Sequence, residues 1–227
     1  MTWRVLTWNV HGSVDPDMAA IADRIRERSV DVAALQEIRR WQATRLARLL
    51  GWQAVWQRKH YPYSPFVWWR AEGLAIVSPH RITDPVRHTL STGQPIWIYR
   101  YRIMLTATVH RADGSLTVHD MHLSSDGVDS RIEQARRATG IIAERPHEYR
   151  VVCGDLNAPD EVEVIREFHP LGLRDVGGDF TDPSHAPHQR LDYVLVPETA
   201  EQCTIDTPEG GDDWALLSDH LPVVAAF

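Results

Sequence analysis

A layered domain of mixed α/β type is what the sequence predicts, and three observations carry that expectation. Short apolar or alternating runs recur along the chain, with helical stretches between some of them. Residues 78–101 carry almost no helix signal and adjoin several consecutive strand candidates, which points to hairpins rather than a strictly alternating parallel sheet. The 227 residues are 43% hydrophobic and 24% charged, enough apolar material for one large core without staples.

In chain order, a strand is expected over 3–8. Asp15-Pro16 then reads as a cap and first-turn pair, with Met18, Ile21, Ala22 and Ile25 recurring behind it at helical spacing. A strand over 30–36 leads into a helix over 40–50 that carries Leu46, Leu49 and Leu50 on one side. Further strands are expected over 73–78, 103–110 and 115–121, followed by a helix over 129–144 with Ile132, Ala135, Thr139 and Ile142 spaced by three and four. Strands over 149–153, 191–196 and 222–227 complete the chain. Two loop-rich stretches, 83–95 and 179–188, are too short to divide domains, and neither an internal repeat nor a low-complexity linker is present. A single domain over 1–227 is the expected organisation.

Charge restricts the partners. Lys+Arg 24 against Asp+Glu 31 leaves a net charge of −7, and Lys59 is the only lysine. The arginine bias suits planar, bidentate contacts with phosphate or carboxylate, but a GC-rich coding sequence with no physical meaning is the preferred explanation. An acidic chain does not attract a polyanion by net charge, so a nucleic acid or phosphoester must be held locally, by arginines or bound cations. Cys153 and Cys203 are too few for a disulfide framework, and Cys153 sits in an apolar run as a small buried hydrophobe. The N-terminal residues lack a signal-peptide pattern, and no run approaches the ~18 apolar residues of a membrane span. The expectation is a cytoplasmic protein with no integral membrane association and no obligate protein partner.

Polar residues stand where apolar strand runs end. Asn9 follows Val5 to Trp8, Glu37 follows Val32 to Gln36, His122 follows Leu116 to Met121, and Asp155 and Asn157 follow Val151 to Gly154. Asp192 opens the run Tyr193 to Val196, and Asp219-His220 precede the last strand. Singly, each has a plain structural reading: Asn9 capping a turn, Glu37 at a helix start, Asp192 paired with Arg190, Asp219 capping. Jointly, six such positions drawn only from Asn, Asp, Glu and His describe a site, because strand-end loops of a rigid α/β scaffold are where binding groups gather.

Those residue types suggest a reaction. Carboxylates and an amide carbonyl are hard oxygen ligands suited to Mg²⁺ or Mn²⁺, with Ca²⁺ a further option, whereas two distant cysteines and the lack of a His-x-x-x-His pairing argue against a thiolate or structural zinc site. Histidine beside carboxylates supplies a proton donor or acceptor near neutral pH. Together with arginine they describe phosphoryl-oxygen chemistry.

The motifs also resemble those of the endonuclease/exonuclease/phosphatase superfamily, the deoxyribonuclease-I-like hydrolases. Trp8-Asn9-Val10-His11-Gly12, Leu35-Gln36-Glu37 and Glu72 to Ser78 are similar to its first three motifs. His122-Leu123, Gly154-Asp155-Leu156-Asn157-Ala158, Arg190-Leu191-Asp192-Tyr193 and Ser218-Asp219-His220-Leu221-Pro222 follow in the family's order, so the resemblance covers nearly the whole chain. It implies a four-layer α/β sandwich, two mixed β-sheets packed face to face with helices outside, and a site at one sheet edge. It implies Glu37 as principal metal ligand, with Asn9 and Asp219. Asp155 would position or activate water, and Asn157 would contact the scissile phosphate. His220, oriented by Asp192, would act as base or as imidazolium, and His122 would bind phosphate or protonate the leaving oxygen. Glu72 is expected to orient His122, and Arg102 to bind phosphate with Arg100 as its competitor; a surface ion pair is the equal alternative for each. His11 stands where abasic-site enzymes of the family usually carry Asp, which counts against that specialisation.

The substrate expected is nucleic acid, DNA or RNA. Trp52, Trp56, Tyr61, Tyr63, Phe66, Trp68 and Trp69 interleave with Arg58, Lys59 and His60, a pattern that can stack bases and hold a backbone, although core positions are preferred for Trp52 and Trp56. The alternatives are a lipid or small-molecule phosphoesterase of sphingomyelinase-like or inositol-phosphatase-like type, and a non-catalytic binding domain. Six acidic residues, Glu37, Glu72, Asp155, Asp192, Asp219 and Asp120, are expected to crowd toward one site and to require a divalent cation there.

Overall fold

The computed structural model describes residues 2–59, 69–92, 101–145, 149–159 and 162–227. In chain order the strands are β1 (Arg4–Asn9), β2 (Val32–Arg39), β3 (Gln53–Arg58), β4 (Glu72–Ser78), β5 (Arg81–Thr89) and β6 (Ile103–Arg111). They continue as β7 (Gly114–His122), β8 (Arg150–Asp155), β9 (Leu173–Asp175), β10 (Asp192–Pro197), β11 (Thr204–Asp206) and β12 (Val223–Ala226). Helices α1 (Met18–Glu27), α2 (Arg40–Leu50), α3 (Val128–Ala143), α4 (Val162–Arg166) and α5 (Asp212–Ala215) lie between them.

Two six-stranded sheets result, ordered β11-β12-β1-β2-β4-β3 and β5-β6-β7-β8-β10-β9. Each is mixed: β1 runs parallel to β2 and β7 parallel to β8, and the other pairs are antiparallel. Strand side chains alternate between faces, and in both sheets both faces are buried. Val5, Ala34 and Ile76 from one sheet meet Leu105, Val118, Val151 and Val194 from the other in a shared interlayer. The intervening residues face outward: Leu6, Leu35 and Val77 meet Met18, Ile21, Ile25 and Leu46 of α1 and α2. On the far side Met121, Val152 and Leu195 meet Ala135, Ala138 and Ile142 of α3. The layers are thus helix, sheet, sheet, helix, a four-layer α/β sandwich.

All eight expected strands are present, and so are the three expected helices. Helix α1 starts later than the sequence suggests: Asp17, not Asp15, is its N-cap, accepting a hydrogen bond from the Ala19 N–H at 2.8 Å. Asp15 instead ends a 3-10 turn in the left-handed region. The loop-rich reading of 83–95 is corrected over its first half, because β5 runs to Thr89 and pairs with β6 across an irregularity between Thr83 and Val86. An edge strand tolerates Pro85 and a bulge that an interior strand would not.

Asp120 is also corrected. It is fully buried, and its Oδ1 accepts a 2.7 Å hydrogen bond from Gln36 Nε2, joining β7 to β2 across the interlayer behind the strand ends rather than at the site. Burial pushes the Asp120 carboxyl well above its ordinary value. Gln36 Oε1 and Asp120 Oδ2 are both buried without a hydrogen-bond partner among the described residues, so an amide at 120 can supply the missing donor. The raised folded-state value means that the neutral acid stabilises fully below the unfolded carboxyl's value and that this contribution is lost as pH rises. Asp120→Asn should therefore match the wild type in urea unfolding at pH 4 and exceed it by roughly 1 kcal/mol at pH 8. A variant less stable than wild type at pH 8 contradicts this account.

Candidate active site

The alternation that fills the interlayer also places the polar groups. Positions 5, 7 and 9 of β1 face inward, as do 116, 118, 120 and 122 of β7, 151, 153 and 155 of β8, and 192, 194 and 196 of β10. Each inward row ends in a polar group at the same end of the sandwich: Asn9, His122, Asp155 and Asp192. Register aligns three of them, because His122 and Asp192 are the strand neighbours of Asp155 on either side.

Glu37 reaches the site by a different device. Leu35 and Ile38 both face α1 and α2, which strict alternation forbids for an odd and an even position. The pairing of β2 with β4 shifts between them, and Glu37 adopts φ 55 in the left-handed region. The bulge adds one residue to the strand, returns Ile38 to the core and leaves the 22% exposed Glu37 side chain at the strand end. The turn after β1 approaches closely: a Cβ at Gly12 would lie 2.4 Å from Glu37 O. Gly154 is equally constrained, with φ 139 and a Cβ position 1.8 Å from Met121 O, so only glycine lets β8 deliver Asp155 beside β7.

Asp155 is the hub. Its Oδ2 accepts from Asn9 Nδ2 at 3.0 Å, across the two sheets, and its Oδ1 accepts from the Asn157 backbone N–H at 3.0 Å. His122 Nε2 stands 3.4 Å and His220 Nε2 4.0 Å from Oδ2. Burial pushes the Asp155 carboxyl up to about 7, with the His220 imidazole opposing and Asp192 reinforcing the shift. Asn157, at φ 49, donates from Nδ2 to Leu123 O at 3.2 Å.

The two histidines are driven apart. His220 Nδ1 is 2.8 Å from Asp192 Oδ2, and its Nε2 faces Asp155 and, at 3.8 Å, Asp182 Oδ1. Burial opposes its charge, but Asp192, Asp155 and Asp219 outweigh burial and hold the imidazolium well above the usual range. His122 goes the other way: burial, Lys59, Arg102 and His220 all push it well below. Its Nδ1 faces Glu37 Oε1 at 3.7 Å.

Asp219 is half-exposed and pairs with His11 Nδ1 at 3.1 Å, while the His11 backbone N–H donates to Asn9 Oδ1 at 3.1 Å. The plain reading of Asn9 as a turn cap is therefore realised. Arg190 does not pair with Asp192; it grips Asp175 at 2.7 and 2.8 Å and lies over the Tyr193 ring. Arg102 is buried close enough to Lys59 and His122 to act on both, and Arg100 lies outside the described residues. Glu72 has Glu37 and Lys59 as its strongest charged neighbours, and burial raises its carboxyl. Trp52 and Trp56 pack against the outer core as expected, and Trp69 is 50% exposed. His60, Tyr61, Tyr63, Phe66 and Trp68 lie outside the described residues.

Three site residues escape sequence reasoning. Lys59, buried with Nζ 3.6 Å from Glu37 Oε1, carries one available signal, its uniqueness as a lysine. His11 is visible as a departure from a motif but not as the partner of Asp219. Asp182 sits in a loop-rich stretch with no periodic signal at all.

Among the described residues, one grouping of acidic and histidine donors is close enough to face a cation. Asp155, Asp192 and His220 bring ligand atoms within 4.8 Å of one another, yet His220 bridges them as a charged donor, so this trio handles protons more readily than metal.

A four-layer sandwich that gathers carboxylates, histidines and amides at one end of both sheets defines a phosphoesterase scaffold. The chain belongs to the Endonuclease/Exonuclease/phosphatase family, whose sequence model matches residues 6–220. Among solved structures, a family protein from Bacteroides vulgatus superposes with TM-score 0.81 at 18% identity, covering 100% of this chain and 98% of that one. One from Beutenbergia cavernae gives 0.74 at 24%, covering 99% and 71%. A mannosyl-6-phosphatase from Bacteroides thetaiotaomicron gives 0.74 at 17%, covering 98% of each. At these identities the likeness is one of fold. No curated protein matches the sequence. No helix among the described residues is long and apolar enough to cross a membrane.

The His220–Asp192 pair makes a measurable prediction. A raised imidazole contributes stability that is fully present below the unfolded value near 6.5 and is lost as pH rises through the folded one. Asp192→Asn should lower the His220 pKa in NMR titration. Its cost in unfolding free energy should be on the order of 3 kcal/mol at pH 6, shrinking toward alkaline pH. An unshifted His220 titration rules out the pairing.

Proposed function

We propose that the protein is a metal-dependent phosphodiesterase that hydrolyses phosphodiester bonds in nucleic acid. The observation that carries this is His220 held as an imidazolium by Asp192 beside Asp155, whose carboxyl sits near 7. That sets a held positive charge beside a carboxyl able to take up a proton near neutral pH. A divalent cation held by Glu37, Asn9 and Asp219 would supply Lewis-acid neutralisation of phosphate charge.

The chain's own groups then take distinct roles. Asp155 accepts the proton of the attacking water, for which a value near 7 is suited. His220 presents a fixed positive charge to the oxygens on which charge develops, and Asp192 holds its ring. Asn157 and the neutral His122 contact the phosphate. Arg102, just before β6, adds charge, and Glu72 supports the Glu37 side of the site. Nucleic acid is the favoured substrate because exposed Trp69 and Arg70, two to three residues before Glu72 in the chain, put an aromatic ring and a cation on the surface at the start of β4. The fold likeness to a mannosyl-6-phosphatase keeps a soluble phosphate ester as the competing outcome.

Purified protein should cleave DNA or RNA with Mg²⁺ or Mn²⁺ and lose that activity in EDTA. Glu37→Ala and His220→Ala should each lower kcat by roughly 10²–10⁴-fold while circular dichroism shows the fold retained. The decisive assay is a panel of DNA, RNA, sphingomyelin, inositol phosphates and a generic bis-phosphodiester. Intact nucleic acid alongside hydrolysis of a lipid headgroup or soluble ester refutes the nuclease reading.

A further inference from the structure

Lys59 has no task in that scheme, yet its placement is specific. Its backbone N–H donates to Glu72 O at 2.9 Å, so the pairing of β3 with β4 sets where its stem begins. The side chain is 4% exposed rather than solvated, and its ammonium lies 3.6 Å from Glu37 Oε1. The other charged groups acting on it are Arg102, Glu72 and Asp155. His122 Nδ1 faces the same Glu37 oxygen at 3.7 Å. In a chain with one lysine against 23 arginines, a compact ammonium on a flexible stem has been placed on the carboxylate proposed as the principal oxygen ligand.

We propose that Lys59 is an internal counter-cation of Glu37 that competes with a divalent ion for that carboxylate, and so sets the affinity of the cation site. The proposal rests on Glu37 being a metal ligand. An ammonium and a divalent ion on one carboxylate repel each other, and screening by salt is weak for buried charges. The four-carbon stem lets the ammonium leave Glu37 as the ion enters. Glu72 and Asp155 already act on the ammonium, and an incoming phosphate adds an anionic partner in a neighbourhood that Arg102 also reaches. Cation entry and substrate entry are thereby coupled: the free enzyme binds the ion less tightly than its carboxylates alone would dictate, and a phosphate receives the displaced charge.

The test is calorimetric titration of the substrate-free protein with Mn²⁺ alone. Lys59→Met keeps the stem and removes the charge, and should bind Mn²⁺ roughly tenfold more tightly than wild type. Lys59→Arg keeps the charge and should stay within about threefold of wild type. On a bis-phosphodiester with saturating Mn²⁺, Lys59→Met should raise KM more than it lowers kcat. Should Lys59→Met fail to fold by circular dichroism, Lys59→Gln provides the same uncharged comparison. Glu37→Gln separates the two ideas. If Glu37→Gln abolishes Mn²⁺ binding but the uncharged Lys59 variants bind Mn²⁺ no more tightly than wild type, the competition is overturned and the Glu37 assignment stands. If Mn²⁺ binding survives Glu37→Gln, both are overturned.

Discussion

Everything at this site depends on Asp155, a carboxylate at the end of an otherwise apolar layer between two sheets. A buried charge there is costly unless it is hydrogen-bonded and paired. Asn9 satisfies one oxygen from the opposite sheet, the Asn157 backbone satisfies the other, and two imidazoles stand within 4.0 Å. The same bonds that make Asp155 tolerable therefore tie the two sheets together at their open end. Stability and chemistry share one set of contacts, which is why the strands cannot slide against one another without dismantling the site.

Electrostatics then sort the residues by neighbour rather than by type. His122 and His220 are both buried and both reach Asp155, yet burial with nearby cations holds one neutral while surrounding carboxylates keep the other charged. The −7 net charge acquires a location through Glu37, Glu72, Asp155, Asp182, Asp192 and Asp219, which lie at one end of the sandwich. Lys59 and Arg102 answer them from within the protein. The balance is local rather than a long-range attraction to a polyanion.

The strands expected from sequence are the eight interior ones, and the four missed, β3, β5, β9 and β11, are the four sheet edges. The reason is physical. An interior strand of a sandwich with helices outside buries both faces and reads as a continuous apolar run. An edge strand is half wet, shorter, or bulged at a proline, and its sequence resembles a loop. The site divides along a similar line. Asn9, His122, Asp155 and Asp192 were legible because each ends an apolar run, whereas Asp182 and the roles of His11 and Lys59 were not, because loops and edges carry no period.

The sequence by itself determined the class of fold, the order of the interior strands' appearance and the inventory of oxygen and nitrogen donors, since burial on two faces and strand alternation are written in residue order. Only the tertiary structure decided how those donors are used. The bulge that turns Glu37 into the site, the exchange of Arg190 from Asp192 to Asp175, the withdrawal of Asp120 into the interlayer and the seating of Lys59 on Glu37 all depend on pairing between segments far apart in the chain. Such pairing is fixed by the packing of two sheets against each other, a constraint that no local window of sequence contains.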